Sequence, residues 1–311
     1  MLSQVPGFSV GHYTDNVALT GCTVILCPPN TRASCEVRGA SPGSRELALL
    51  APDKTMQEIH ALLFTGGSAF GLAAADGVMK WLSEQGRGYR TPWTHVPIVP
   101  AAVVFDLNLG SNSVWPDARA GYEACQHAAQ SSAEEGNVGA GTGATVGKWR
   151  GIESSMKGGV GMSATTVGAL AVATLAVVNA VGDVVDEHGA ILAGARGADG
   201  KFYGDVDPHR TFLRGKVLEH TNTTLVAAVM NASLSKVELH RVAQRMHDGL
   251  ARAVIPSHTS YDGDATFALS RGEVKVDFDL VAEVAASLTA EAIRRAVKAA
   301  RTVHNVPGRA R

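Results

Sequence analysis

The stretch 219-EHTNTTLVAAVMNASLSKVEL-239 decides how this chain is read. A polar run closes at Asn222, two threonines follow, and an apolar run continues to Met230. That pattern predicts a loop feeding a buried strand. Ser235-x-x-Glu238 then forms a capping box, and Leu239, Val242, Met246 and Leu250 give the helix it opens one apolar face, to about Val254. The chemically loaded point is the hinge Asn222-Thr223. A threonine made N-terminal by a peptide break carries a hydroxyl nucleophile and an α-amine that can act as its base. Spacing alone leaves two readings open, this one and an ordinary loop-to-strand junction.

Downstream, 258-HTSYDGDATFAL-269 ends as a strand and carries Asp262 and Asp264. On a strand these two face the same side; in a turn they form a solvated D-G-D loop. The further regularly spaced oxygen ligands of a calcium loop are missing, so no metal is expected. His258 either faces substrate or is a structural histidine, the second being the commoner role. A short strand 273-EVKVDF-278, a helix from about Leu280 to Ala300 and a tail complete the chain.

Upstream, 167-VGALAVATLAVVNAV-181 falls short of the ~20 apolar residues of a membrane span and reads as buried strand or core helix. Asn179, near its end, is either a cap or a cleft-facing side chain. Residues 182–222 read mostly as a long surface loop, a type often functional or processed. The run 136-GNVGAGTGATVGKW-149 imitates a phosphate loop and fails the test. Thr142 stands where the nucleotide loop needs its first glycine, and Trp149 stands where it needs Ser or Thr. Strands are expected at 16–27, 60–65 and 97–107, and helices at 68–84 and 117–130. Residues 36–46, with Arg38 and Arg45, read as a loop. The Gly66-Gly67 turn serves packing, or its helix start offers N–H groups to an anion.

Composition narrows the class. The chain has 311 residues, 45% hydrophobic and 18% charged, with 34 glycines and a net charge of −1. That describes a globular protein with closely packed backbone and no charge imbalance to attract nucleic acid. Cys22, Cys27, Cys35 and Cys125 show no CxxC and no paired histidines, which predicts reduced thiols in a cytoplasmic protein and no metal site. Strands and helices without strict alternation favour one layered α/β or α+β domain with no linker.

Six segments in order, 36-EVRGASPGSRE-46, 65-TGGSAFGLAAADGV-78, 139-GAGTGATVGKW-149, 175-LAVVNAVGDV-184, 222-NTTLVAAVMNASLS-235 and 255-IPSHTSYDGDATFAL-269, carry a family resemblance. The chain resembles the N-terminal-nucleophile-like hydrolases of peptidase family S58, which include L-aminopeptidase/D-esterase, β-peptidyl aminopeptidase and 6-aminohexanoate-oligomer hydrolase. The resemblance implies a four-layer αββα sandwich. It also implies self-cleavage between Asn222 and Thr223, from an inactive precursor into an α piece (1–222) and a β piece (223–311). Tetramers or larger homo-oligomers of αβ units are expected, with no cofactor, metal, nucleic acid or membrane partner.

Carried over residue by residue, Thr223 is the nucleophile, Lys148 and Asn179 take the lysine and asparagine positions, and Asp262 and Asp264 are the paired acids of the nylon-oligomer branch. Gly66, Gly67, Phe105 and Thr224 are expected around the substrate. Phe105 stands where that branch has tyrosine, and phenylalanine cannot donate a hydrogen bond. The implied activity is hydrolysis of amides or esters of short peptides, amino-acid amides or ω-amino-acid oligomers through an acyl-enzyme. The alternative is a non-catalytic relative that binds a small ligand.

Overall fold

Two five-stranded sheets lie face to face between two pairs of helices in the computed structural model, which describes residues 2–128, 134–212 and 221–310. The strands are β1 (Ser9–Asp15), β2 (Thr20–Leu26), β3 (Arg32–Val37), β4 (Ser44–Arg45), β5 (Ala61–Thr65) and β6 (Ala101–Val103), then β7 (Gly159–Val167), β8 (Leu170–Asn179), β9 (Thr223–Ala232) and β10 (Ala265–Val274). The helices are α1 (Ala74–Glu84), α2 (Ala118–Ala128), α3 (Lys236–Ala253) and α4 (Phe278–Ala299). One sheet runs β1-β2-β5-β6-β4 and the other β7-β8-β9-β10-β3. Neighbours are antiparallel except β5/β6 and β9/β10.

Three apolar layers hold this αββα arrangement together. Ile25, Leu62 and Phe64 meet Leu175, Leu225 and Phe267 between the sheets. Val226, Ala228 and Met230 pack on α3 and α4, while Cys22, Val24 and Leu63 pack on α1 and α2. Every residue of β8 and β9 is buried, which is why both read as continuous apolar runs instead of alternating ones. The two-residue period of a strand then fixes side-chain direction at their ends. Leu175, Val177, Leu225 and Ala227 face the opposite sheet, that of β1, β2 and β5, so Asn179 and Thr223 project to that side. Thr224 shares the helix-facing side with Val226.

Several expectations are corrected. Within 182–222, expected mostly as surface loop, the described residues also include buried structure. Asp183–Val185 is a buried strand between Ile191–Ala193 and Val254–Ile255, because Asp183 finds partners inside. Its carboxylate accepts from Trp149 Nε1 at 2.9 Å and Arg210 Nε at 3.0 Å. The part of that loop at 213–220, including Glu219 and His220, lies outside the described residues. The expected strand 273–278 does not exist: Glu273 and Val274 end β10, and Asp277 caps α4, its side chain accepting from Leu280 N. Of 97–107 only Ala101–Val103 pairs as strand, and the helix expected at 68–84 begins as a 3-10 turn at Ser68–Ala73. The capping box at Ser235 and Glu238 is formed.

Candidate active site

Thr223 opens β9 and is 6% exposed. Its Oγ1 donates to the carbonyl oxygen of Asn222, the residue before it, at 2.5 Å. That same oxygen accepts the N–H of Gly263 at 2.8 Å. The parallel register pairs Leu225 with Ala265, and an isolated bridge pairs Asn222 with Asp262, so Gly263 comes alongside Thr223. A side chain at Gly263 would start 2.9 Å from Thr223 Oγ1 and 2.6 Å from the Ser41 carbonyl oxygen. The glycine between the two aspartates is therefore required first by close approach of the Ser41 carbonyl oxygen and next by that of the threonine hydroxyl.

Across the sheet, Asn179 is the register partner of Thr223. Lys148 Nζ donates to the Asn179 carbonyl oxygen at 3.0 Å and to its Oδ1 at 2.9 Å. Thr145 N also donates to that Oδ1, while Asn179 Nδ2 donates to the carbonyls of Phe105 and Thr221. Asn179 is thus neither a cap nor a turn residue; it is a buried hub joining three segments. Burial pulls the Lys148 amine down to about 7; nearby Asp262 opposes that and Lys157 adds to it. A neutral amine keeps two N–H donors for Asn179 and has a lone pair left for a proton.

The two aspartates do different work. Asp264 Oδ1 accepts from Thr224 N at 2.7 Å, and its Oδ2 accepts from both the N–H and Nδ1 of His258, at 3.0 and 2.9 Å. Asp262 accepts from Val181 N at 3.3 Å and from the N–H and hydroxyl of Thr259 at 3.1 and 2.6 Å. Burial, and then the neighbouring Asp264 carboxylate, hold Asp262 well above the usual carboxylate range. Thr224 is fully buried, with its hydroxyl lacking a partner among the described residues.

Gly66 and Gly67 are packed rather than open. Asp106, 1% exposed, accepts from Gly67 N at 2.7 Å and from Thr20 Oγ1 at 2.7 Å, and a Cβ at Gly66 would lie 2.0 Å from Asp106 Oδ2. The Ser68 N–H goes to Val104, so these two donors of the helix start are spent internally. This clamp sets the backbone next to Phe105, a half-buried residue whose carbonyl meets Asn179. Burial pushes Asp106 up to about 6.

Sequence reading missed Asp106 and also Lys157. The latter is fully buried and donates to the Thr142 and Ala144 carbonyls at 2.9 and 2.6 Å. It holds the glycine-rich run that leads to Thr145 and Lys148. No helix among the described residues is long and apolar enough to cross a membrane, and no group of three or more His, Cys, Asp or Glu among them could hold a metal.

Known proteins resemble this chain in sequence and in fold. The profile described as peptidase family S58 matches residues 1–311. The chain is 41% identical over 292 residues to a Mycobacterium tuberculosis protein named "uncharacterized aminopeptidase", covering 88% of this chain and 82% of that one. It is 31% identical over 314 residues to the 6-aminohexanoate-oligomer endohydrolase of Kocuria sp., covering 94% and 84%. Its fold matches the L-aminopeptidase D-Ala-esterase/amidase of Ochrobactrum anthropi, described as a variant of the Ntn hydrolase fold, with a TM-score of 0.71, 18% identity, and coverage of 95% and 85%. With the sandwich and the whole-length match together, the chain belongs to peptidase family S58 and is a hydrolase of amide bonds.

Proposed function

We propose that the chain cuts itself between Asn222 and Thr223, and that Thr223 then hydrolyses amides or esters of short peptides, amino-acid amides or ω-amino-acid oligomers. The observation that carries this reading is the Thr223 hydroxyl lying against its own upstream carbonyl while Gly263 N–H donates to that oxygen. Oγ attacks the Asn222 carbonyl carbon and passes its proton, through Lys148, to the departing Thr223 nitrogen. The C–N bond is exchanged for a C–O bond, and water hydrolyses the ester to an Asn222 carboxylate and a free Thr223 amine and hydroxyl. The pieces 1–222 and 223–311 stay joined because β8 and β9, one from each, pair from Val172/Met230 to Asn179/Thr223.

In the processed enzyme the α-amine, with an ordinary value near ~7.7–8.0, serves as base. Gly263 N–H, no longer holding Asn222, is placed to receive the oxyanion of a substrate carbonyl. An acyl-enzyme forms on Oγ and water releases it. The αβ units assemble as homo-oligomers in the cytoplasm, and the catalytic cycle uses no cofactor. Intact mass and a denaturing gel test this reading. Two pieces of ~23 and ~9 kDa from the 32.3 kDa chain support it. A chain that stays whole after long incubation overturns it in favour of a ligand-binding relative. Thr223→Ala is expected to stay uncut and inactive, and a Thr223→Ala chain that still splits there removes Thr223 as nucleophile.

A further inference from the structure

We propose that His258 is a positioning residue that fixes Asp264 against the backbone of the nucleophile-bearing strand, an inference that rests on Thr223 being the nucleophile. Three N–H donors converge on Asp264, two of them from His258. With both His258 donors on Oδ2, Oδ1 is turned to the Thr224 N–H, one residue from Thr223. Asp264 is 1% exposed, so its orientation is set by these partners and not by water. His258 is itself held. Its backbone sits at φ 55°, which allows one residue to present both its own N–H and its Nδ1 to the same oxygen. Its ring packs edge-on to His247 of α3, with centroids 4.7 Å apart. His247 is anchored in turn, donating from Nε2 to the Glu36 carbonyl at 3.2 Å. The chain of contacts runs from α3 through two rings and a carboxylate to the start of β9.

A filler histidine would only occupy space. A positioning histidine must supply the Nδ1–H, and two substitutions separate these roles. Glycine and asparagine both tolerate the left-handed backbone. His258→Gly keeps the backbone donor and loses the side-chain one. His258→Asn replaces Nδ1–H with an amide N–H at the same distance along the side chain. The charged and titratable groups around this site are Asp264 and Asp262 on the same segment, His247 on α3, and Arg38 beyond β3.

The experiment follows self-cleavage of the freshly made full-length chain over pH 5–9 for the native protein and both variants, with thermal melts to confirm folding. His258→Gly is expected to slow cleavage ~10–100-fold and to move the midpoint of the pH–rate curve by ~1 unit, and His258→Asn to restore both to within ~3-fold and ~0.3 unit. Native rate and midpoint in His258→Gly, or an asparagine variant no better than the glycine one, overturns the proposal. Cleavage in Thr223→Ala would instead overturn the nucleophile reading beneath it, so the two failures are told apart.

Discussion

The N–H of Gly263 meets the carbonyl oxygen of Asn222 at 2.8 Å, on the same atom that the Thr223 hydroxyl touches at 2.5 Å. Two donors on one peptide oxygen draw charge toward it, and a donor fixed in a sheet register needs no reorganisation when that charge develops. The register that supplies it is the parallel pairing of β9 with β10, continued one bridge further by Asn222 and Asp262.

Gly263→Ala tests whether that approach matters. The added methyl would begin 2.9 Å from Thr223 Oγ1 and 2.6 Å from the Ser41 carbonyl oxygen, so strand and hydroxyl must part. Self-cleavage is expected to fall by ~10²-fold or more, with a melting temperature lowered by only a few degrees. Gel time courses beside circular-dichroism melts check this, and native-rate cleavage removes Gly263 from the mechanism.

Lys148 gives a pH dependence with a definite sign. Its amine is pulled down to about 7, so the neutral, proton-accepting form grows as pH rises through 7. Cleavage should therefore climb between about pH 6 and 8. Lys148→Met removes the donors to Asn179 and is expected to cost ~10²-fold or more, without rescue by Lys148→Arg, which stays cationic. A flat rate across pH 6–8 in the native chain contradicts this role.

Asp106 and Lys157 make a separate prediction about stability. Asp106 is raised from 3.8 to about 6, so the folded state holds its proton more tightly. That contribution is full below pH 4 and is lost as pH rises through 6. Lys157 is lowered from 10.5 to about 7, so the folded state prefers the neutral amine, and stability recovers as pH climbs from 7 toward 10.5. Chemical denaturation at several pH values should show the falling branch become shallower in Asp106→Asn and the rising branch in Lys157→Met, each by up to ~1.4 kcal/mol per pH unit. Unchanged slopes would mean that these groups do not titrate with folding.

Asp106 and Lys157 also mark the limit of what was legible in the sequence. The apolar runs of β8, as strand or core helix, and of β9, the Ser235 capping box and the loop-to-strand junction at Thr223 could be read because strand burial and capping leave local patterns. Asp106 and Lys157 leave none. Each is a single charged residue whose partners, Thr20 and Gly67 for one and Thr142 and Ala144 for the other, are assembled only by the fold. The buried strand inside the expected loop 182–222 was hidden for the same reason. A stretch rich in Gly, Asp, His and Arg looks solvated until Asp183 is seen to satisfy Trp149, Ala195 and Arg210 in the interior. The two aspartates of the D-G-D run entered through the family resemblance, their spacing alone fitting a solvated loop equally, and their different partners depend on which donors the fold brings to each.

Phe105 sets the last prediction, about substrate choice. Its carbonyl is committed to Asn179 Nδ2 at 3.0 Å, which fixes the backbone there whatever side chain it bears. The half-buried ring is thus free to change chemistry without disturbing that hub. Phe105→Tyr adds a phenolic O–H, a donor suited to a polar amide chain, at a cost of at most ~1 kcal/mol in stability if the hydroxyl reaches water or substrate. A hydrogen bond made in the transition state is worth ~1.4 kcal/mol per tenfold in rate. Phe105→Tyr is therefore expected to raise kcat/KM for 6-aminohexanoate oligomers ~10-fold, while kcat/KM for small apolar amino-acid amides changes less than ~3-fold. Parallel assays of the two substrate classes with both proteins decide it. Equal change in both classes would show that Phe105 shapes the site without selecting the substrate.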